Sequence, residues 1–231
     1  MKKITLLAGF LVLALAVGGC VENDRSFTII KVLIPDAASE CDYTVDDYFR
    51  SSGLMDLSFP GYGGEAFYAL GVQVRNALPP VPSCETGNLY AHDIQLERVE
   101  IRYSFPQGRD EVERLAPAAL LLEDQESQLL ISGTFGAETE ENILVFIAIQ
   151  SQVGAQLYSL GESADDVTLG VSIRLIGSTL GGDRIESNEF LYPIRLCWGC
   201  LTDFACADGS YPACLPGQDS VDFELCEDSV L

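Results

Sequence analysis

Histidine and lysine are nearly missing from this chain: His92 is the only imidazole, and beyond the first three residues Lys31 is the only lysine. With one histidine, Ser-His-Asp and Cys-His catalysis would hang on a single residue, and a poly-histidine metal site cannot be built. No G-x-S-x-G accompanies His92, which reads as a solvated or capping residue in a loop before a strand. Basic charge is short overall, with 13 Lys+Arg against 35 Asp+Glu and a formal net charge of −22. Nucleic acid and anionic lipid head groups repel such a body, so neither is expected as a partner. Cys197-Trp198-Gly199-Cys200 has no second close cysteine pair after it, which argues against a zinc ribbon. The EF-hand spacing D-x-[DN]-x-[DN]-G is absent too. There is no internal repeat, no low-complexity tract and no alternation of strands with helices, so a parallel α/β fold is excluded.

What is present begins with the first twenty residues. Lys2 and Lys3 precede an apolar run from Ile4 to Val17. That run is shorter than the roughly 20 residues a transmembrane helix needs, and it reads as a removable secretory signal. It ends in Val17-Gly18-Gly19-Cys20, which resembles the bacterial lipobox: an aliphatic residue, two small ones and the cysteine that receives the lipid. The resemblance implies a signal peptide over residues 1–19, diacylglycerol on the Cys20 thiol and acylation of the new amino terminus. Several acyl chains, each worth about 0.8 kcal/mol per buried methylene, hold a protein to a membrane without a span. Valine rather than aspartate at position 21 implies the outer membrane, on its periplasmic or cell-surface face. Residues 20–26 are then a short lipidated tether.

Without the signal, removing Lys2 and Lys3 leaves 11 basic residues against 35 acidic ones, a net charge of about −24. The remaining length suits one domain with an appendage. Export places the cysteines other than Cys20 in an oxidising compartment, where they read as bridge formers. Cys41, Cys84, Cys197, Cys200, Cys206, Cys214 and Cys226 are odd in number, so one stays unpaired. The expectation is a Cys41–Cys84 bridge, worth about 4 kcal/mol in the chain-entropy model, and two bridges among Cys197, Cys200, Cys214 and Cys226. A thioredoxin-like reading of Cys197 and Cys200 is set aside because the pair follows a strand and opens no helix.

Periodicity gives the body, residues 27–196. Phe27 to Ile34 is a first strand closed by Pro35. Met55-Leu57-Phe59 and Tyr68-Leu70-Val72-Val74 alternate with polar residues and are expected as neighbours across a glycine-rich connection. Ile94-Leu96 and Val99-Ile101-Tyr103 lie in opposite phases, which predicts a β-bulge at Glu97-Arg98. Ala116 to Leu122, interrupted by Pro117, is read as strand or loop. Leu129 to Phe135 and Asn142 to Ile149 flank a charged turn and are expected to form a hairpin. The apolar run Ile143 to Ile147 is expected as a central strand covered on both faces. Ser151 to Gly161 is the one predicted helix, capped by Ser151. Val167 to Leu175 alternates without fault, and Leu180-Gly181-Gly182-Asp183 turns it into a return strand. Together these predict an all-β, antiparallel sandwich of immunoglobulin-like character, with one short helix and a disulfide-stapled appendage over residues 197–231; a closed barrel is the runner-up.

The closing pattern Cys197-Trp198-Gly199-Cys200-Leu201, Cys214-Leu215-Pro216-Gly217-Gln218-Asp219 and Cys226 resembles the tail of lipoproteins of the myxobacterial type. The resemblance implies an envelope lipoprotein with a β-rich body and a cystine tail, and it carries no activity. Cys206 is additional to the pattern, which makes it the expected unpaired cysteine. No catalytic or cofactor-binding residue is predicted. The expected role is a structural or binding module with an envelope protein as partner; the alternatives are a weak calcium module and a carboxylate hydrolase or thiol oxidoreductase. Calcium would use the acidic loops at Asp46-Asp47, Glu162 to Asp166 and Asp208-Gly209.

Overall fold

The computed structural model describes residues 26–36, 41–45, 49–59, 66–80, 91–123, 125–201, 214 and 217–219. Cys20, Cys84, Cys206, Cys226, Asp46-Asp47 and Asp208-Gly209 lie outside them. Strands β1 (Phe27–Leu33), β2 (Pro35–Asp36), β3 (Asp42–Tyr43), β4 (Gly53–Asp56), β5 (Tyr68–Asn76) and β6 (Ile94–Gln107) come first. Helices α1 (Arg109–Leu115) and α2 (Pro117–Leu120) follow, then β7 (Glu126–Phe135) and β8 (Thr139–Ile149). Helix α3 (Ser151–Leu157) runs into a 3-10 segment (Tyr158–Asp166), and β9 (Thr168–Thr179), β10 (Arg184–Glu186) and β11 (Phe190–Cys197) complete the order.

The strands form a three-stranded sheet, β1-β5-β8, and a larger sheet, β4-β11-β9-β6-β7, with β10 paired to β9. Pairing is antiparallel except between β4 and β11, which run parallel from Ile194↔Gly53 to Cys197↔Asp56. Period-2 patterning does the placing: Val99, Ile101 and Tyr103 of β6 and Leu169, Val171 and Ile173 of β9 are buried, while Arg102 and Arg174 point outward. Both sheets feed one hydrophobic core. Phe27 of β1 meets Phe135 of β7 with ring centroids 5.8 Å apart, and the Tyr103 hydroxyl donates to the Ala148 carbonyl at 2.9 Å. The shift of register at Leu96/Arg98 against both neighbours is the predicted bulge.

Several expectations are corrected. Arg109–Leu115 and Pro117–Leu120 are helical, with Ala116 a non-helical break between them; Pro117 stands in the first turn of α2, where its missing N–H has no partner to lose. The described residues therefore hold three short helices and a 3-10 segment rather than one helix. Gln150, not Ser151, is the N-cap of α3, and no side chain caps it. β4 and β5 are not neighbours but lie in different sheets. β7 and β8 do not pair as a hairpin either: β7 pairs with β6 and β8 with β5, so the turn at 136–138 carries the chain from one sheet to the other. Among the described residues β8 is an edge strand, and Val145 and Ile147 on its outer face are exposed. A continuous apolar run thus marks an edge here, not a centre. Cys41 is bridged to Cys214, with Cα atoms 5.3 Å apart, and not to Cys84; this also takes Cys214 out of the two bridges expected within the tail, of which Cys197–Cys200 forms. The cause is the path of the tail, which returns beside β4.

Candidate functional site

The tail and β4 meet at one corner of the body. On one side β4 pairs with β11; on the other, Met55 is bridged to Gln218. The Asp56 N–H donates to the Gly217 carbonyl at 3.0 Å, and the Asp219 N–H donates to the Leu54 carbonyl at 2.7 Å. Residues 217–219 therefore extend the large sheet past β4. Gln218, buried, then crosses to the small sheet: its Oε1 accepts from the Ala69 N–H and its Nε2 donates to the Phe67 carbonyl, both at 3.0 Å. One side-chain amide so mimics a peptide group and ties the start of β5 to the tail.

Asp219 is the centre of the corner. Its φ of 57° is left-handed, a conformation Asp tolerates better than most side chains. Its carboxylate accepts from the Leu54 N–H at 3.0 Å and from the Tyr68 hydroxyl, which lies 2.7 Å from each oxygen. It also pairs with the Arg50 guanidinium, and both side chains are mostly buried. Gly53 is required here, since a Cβ at that position would run into the Tyr68 hydroxyl and the Tyr192 ring. Burial drives the Tyr68 phenol far above its ordinary pKa, and the neighbouring Tyr192 adds to the effect. Burial also raises Tyr192, against weaker opposing effects of Tyr68 and Arg50. The Tyr192 hydroxyl sits close enough to Tyr68 to feel it, and among the described residues no hydrogen bond of ordinary distance and angle satisfies it.

Above this buried cluster is a hollow of about 540 Å³ lined by Phe49, Arg50, Ser51, Ser52, Gly53, Leu54, Arg195 and Asp219. Of the nine described arginines, eight pair with carboxylates. Arg195 pairs with none among the described residues. The register explains this: Arg195 lies outward on β11 with Thr168 and Leu54 as cross-strand partners, neither of them acidic. On the same outer face, Arg102 pairs with Glu126 and Arg174 with Glu186 and Glu189. The Arg102–Glu126 pair lies at the surface; its mutual hydrogen bonds raise the arginine pKa and lower that of the glutamate. The hollow thus combines an arginine neutralised by Asp219, a second arginine without a carboxylate, and the ring of Phe49, 61% exposed.

A second polar feature lies at the far end of β4. Cys197 and Cys200 form a disulfide with Cα atoms 5.9 Å apart. Asp56, fully buried, holds the turn that carries it: Oδ1 accepts from the Ser58 N–H and hydroxyl and from the Gly199 N–H, and Oδ2 accepts from the Leu201 N–H, all within 3.0 Å. Asp56, Cys197 and Cys200 are also the one group of three described metal-ligand side chains whose donor atoms converge. With the thiols joined and the carboxylate saturated by donors, the arrangement braces a turn. Every buried charge needs such partners.

The structure separates most of the residues singled out in the sequence. Glu162, Asp165 and Asp166 are exposed on the 3-10 segment, and Asp165 accepts the Trp198 N–H at 3.0 Å; they do not converge with other acids. His92 is half-buried, its Nδ1 lying 2.8 Å from the Pro79 carbonyl, apart from the hollow. Cys41 and Cys214 pair with each other, as do Cys197 and Cys200. The sequence assigns no site role to Arg50, Asp56, Tyr68, Arg195 or Asp219, although Tyr68 falls on a predicted strand and Asp219 in the closing pattern. Arg195 alone shows a partial signal, its place on the outward phase of a predicted strand; that its cross-strand partners are uncharged is visible only in the fold.

No protein-family model, curated protein or solved structure matches the chain.

Proposed function

We propose that the chain is an envelope lipoprotein, held at the outer membrane by lipid on Cys20, whose body acts as a binding module. In this reading the two sheets make a sandwich of immunoglobulin-like character. The observation that carries the binding role is the hollow at the β4–β11 edge, where Arg195 pairs with no carboxylate among the described residues while the other eight described arginines do. Its support for anchoring is the sequence Val17-Gly18-Gly19-Cys20. The body starts close behind: the Ser26 carbonyl already accepts from Ala77 N–H at 2.6 Å, leaving the five residues 21–25 as tether. Five extended residues reach about 17 Å, so the body stays beside the membrane surface. The absence of a long apolar helix among the described residues is compatible with this attachment.

Metabolic labelling with an alkyne analogue of palmitate tests the anchor. The full chain should label and partition into membranes, and Cys20→Ala should do neither. Label retained in Cys20→Ala sinks the lipid assignment.

A further inference from the structure

We infer that the hollow beside Asp219 binds a monoanionic carboxylate carried on a ring or other apolar face. The inference rests on the binding-module reading and names its ligand class.

Charge sets the anion. Among the described residues Arg50 and Arg195 bring two positive charges to the lining and Asp219 one negative, a balance of one positive charge. One carboxylate balances that, whereas a phosphate near neutral pH carries about 1.5 to 2 negative charges and would remain in excess beside Asp219. A guanidinium presents a planar fork that matches a carboxylate in two parallel hydrogen bonds. Asp219 already occupies the Arg50 side of the hollow, so Arg195 is the group that takes the ligand.

Shape sets the rest of the molecule. Phe49 is 61% exposed and lines the same hollow, with the half-buried Leu54 beside it. An exposed aromatic face next to a guanidinium that no described carboxylate pairs suits a ligand whose carboxylate adjoins an apolar surface. Ser51 and Ser52, both exposed, supply hydroxyls for polar substituents. A hollow of about 540 Å³ takes a ring of six atoms with its substituents. The walls are set in advance: β11 and residues 217–219 flank β4, and Cys41–Cys214 secures the tail that carries Asp219.

Two sources share this chemistry, a uronic acid sugar and an aromatic or alicyclic acid, and the test separates them. The full lipidated chain is held in a zwitterionic detergent without a sugar head group. Binding of sodium glucuronate, sodium benzoate, sodium acetate, glucose and inorganic phosphate is read by saturation-transfer NMR and by titration calorimetry, at constant ionic strength. Glucuronate or benzoate should saturate the site, acetate should bind more weakly than either, and glucose should not bind. Whichever of the two saturates identifies the source. Arg195→Gln should weaken that ligand tenfold to a hundredfold, the loss expected for a charge-assisted hydrogen-bonded pair. Phe49→Ala should weaken it two- to tenfold and leave acetate unchanged. Failure of both acids to saturate, undiminished binding in Arg195→Gln, or phosphate binding as tightly as the better acid would overturn the assignment. None of these outcomes bears on palmitate labelling, so anchor and ligand fail separately.

Discussion

Tyr68 on β5 and Asp219 in the tail, 151 positions apart, meet through a phenol hydroxyl 2.7 Å from both carboxylate oxygens. The contact joins the small sheet to the extension of the large one, and Arg50 completes it from the other side. Removing the carboxylate strands two buried partners at once. Asp219→Ala should therefore cost about 3 kcal/mol, toward the lower end of what breaking a buried ion pair costs. Tyr68→Phe removes one hydrogen bond to a charged group and should cost about 1.5 kcal/mol. Urea unfolding at neutral pH measures both. Equal midpoints for wild type and Asp219→Ala would show that the corner contributes nothing to stability.

The Cys41–Cys214 bridge spans 173 positions. In the chain-entropy model a loop of that length contributes about 5 kcal/mol, more than the shorter Cys41–Cys84 loop expected from the sequence. Cys41→Ser, Cys214→Ser and the double variant should lose similar stability, because each removes the same cross-link. Non-reducing peptide mapping should recover Cys41 joined to Cys214 and Cys197 joined to Cys200. A peptide joining Cys41 to Cys84 would refute the pairing.

The strands were largely legible because burial imposes a period of two on their side chains, and β5, β6, β9 and β11 carry it plainly. Partnership was not legible. β4 reads like a neighbour of β5, yet its parallel pairing with β11 depends on where the chain returns some 140 residues later. β8 lacks a polar face although among the described residues it is an edge, because nothing in local sequence requires an outward position to be polar when Val145 and Ile147 can stay exposed. The site was hidden for a related reason. Arg50, Arg195 and Asp219 are ordinary surface residue types, and only the fold brings them to one hollow.

Gly154 of α3 and Gly133 of β7 separate two reasons for glycine. At Gly154 an added Cβ would collide with the Ala66 carbonyl and backbone, so the helix rests directly on the chain leading into β5. Gly154→Ala should cost about 3 kcal/mol despite the better helix propensity of alanine, since backbone cannot move aside as a side chain does. At Gly133 nothing lies within 4 Å of the added atom. Gly133→Ala should be neutral or stabilise by up to about 1 kcal/mol by restricting the unfolded chain. Thermal unfolding of the two variants decides the contrast, and a tolerated Gly154→Ala would mean that α3 does not pack as closely as described.

Alkaline pH tests the buried phenols. Burial is the leading cause that raises Tyr43, Tyr68, Tyr103 and Tyr192 above the ordinary value of 10.0, and for Tyr68 and Tyr103 the rise is large. In the unfolded chain these tyrosines ionise near pH 10, whereas in the folded chain they keep their protons. A folded pKa raised above the unfolded one gives stability that is fully present below pH 10 and is lost as pH climbs toward the folded value. Each strongly raised phenol contributes a slope approaching about 1.4 kcal/mol per pH unit in that window. Stability should therefore fall steeply above pH 10. Phenolate absorbance should report incomplete ionisation of the nine tyrosines until the chain unfolds. Tyr103→Phe removes one such phenol together with its hydrogen bond to Ala148. It should lower stability at neutral pH by about 1 kcal/mol and make the decline above pH 10 shallower. Parallel declines in wild type and variant would place the Tyr103 hydroxyl in contact with solvent and contradict its burial between β6 and β8.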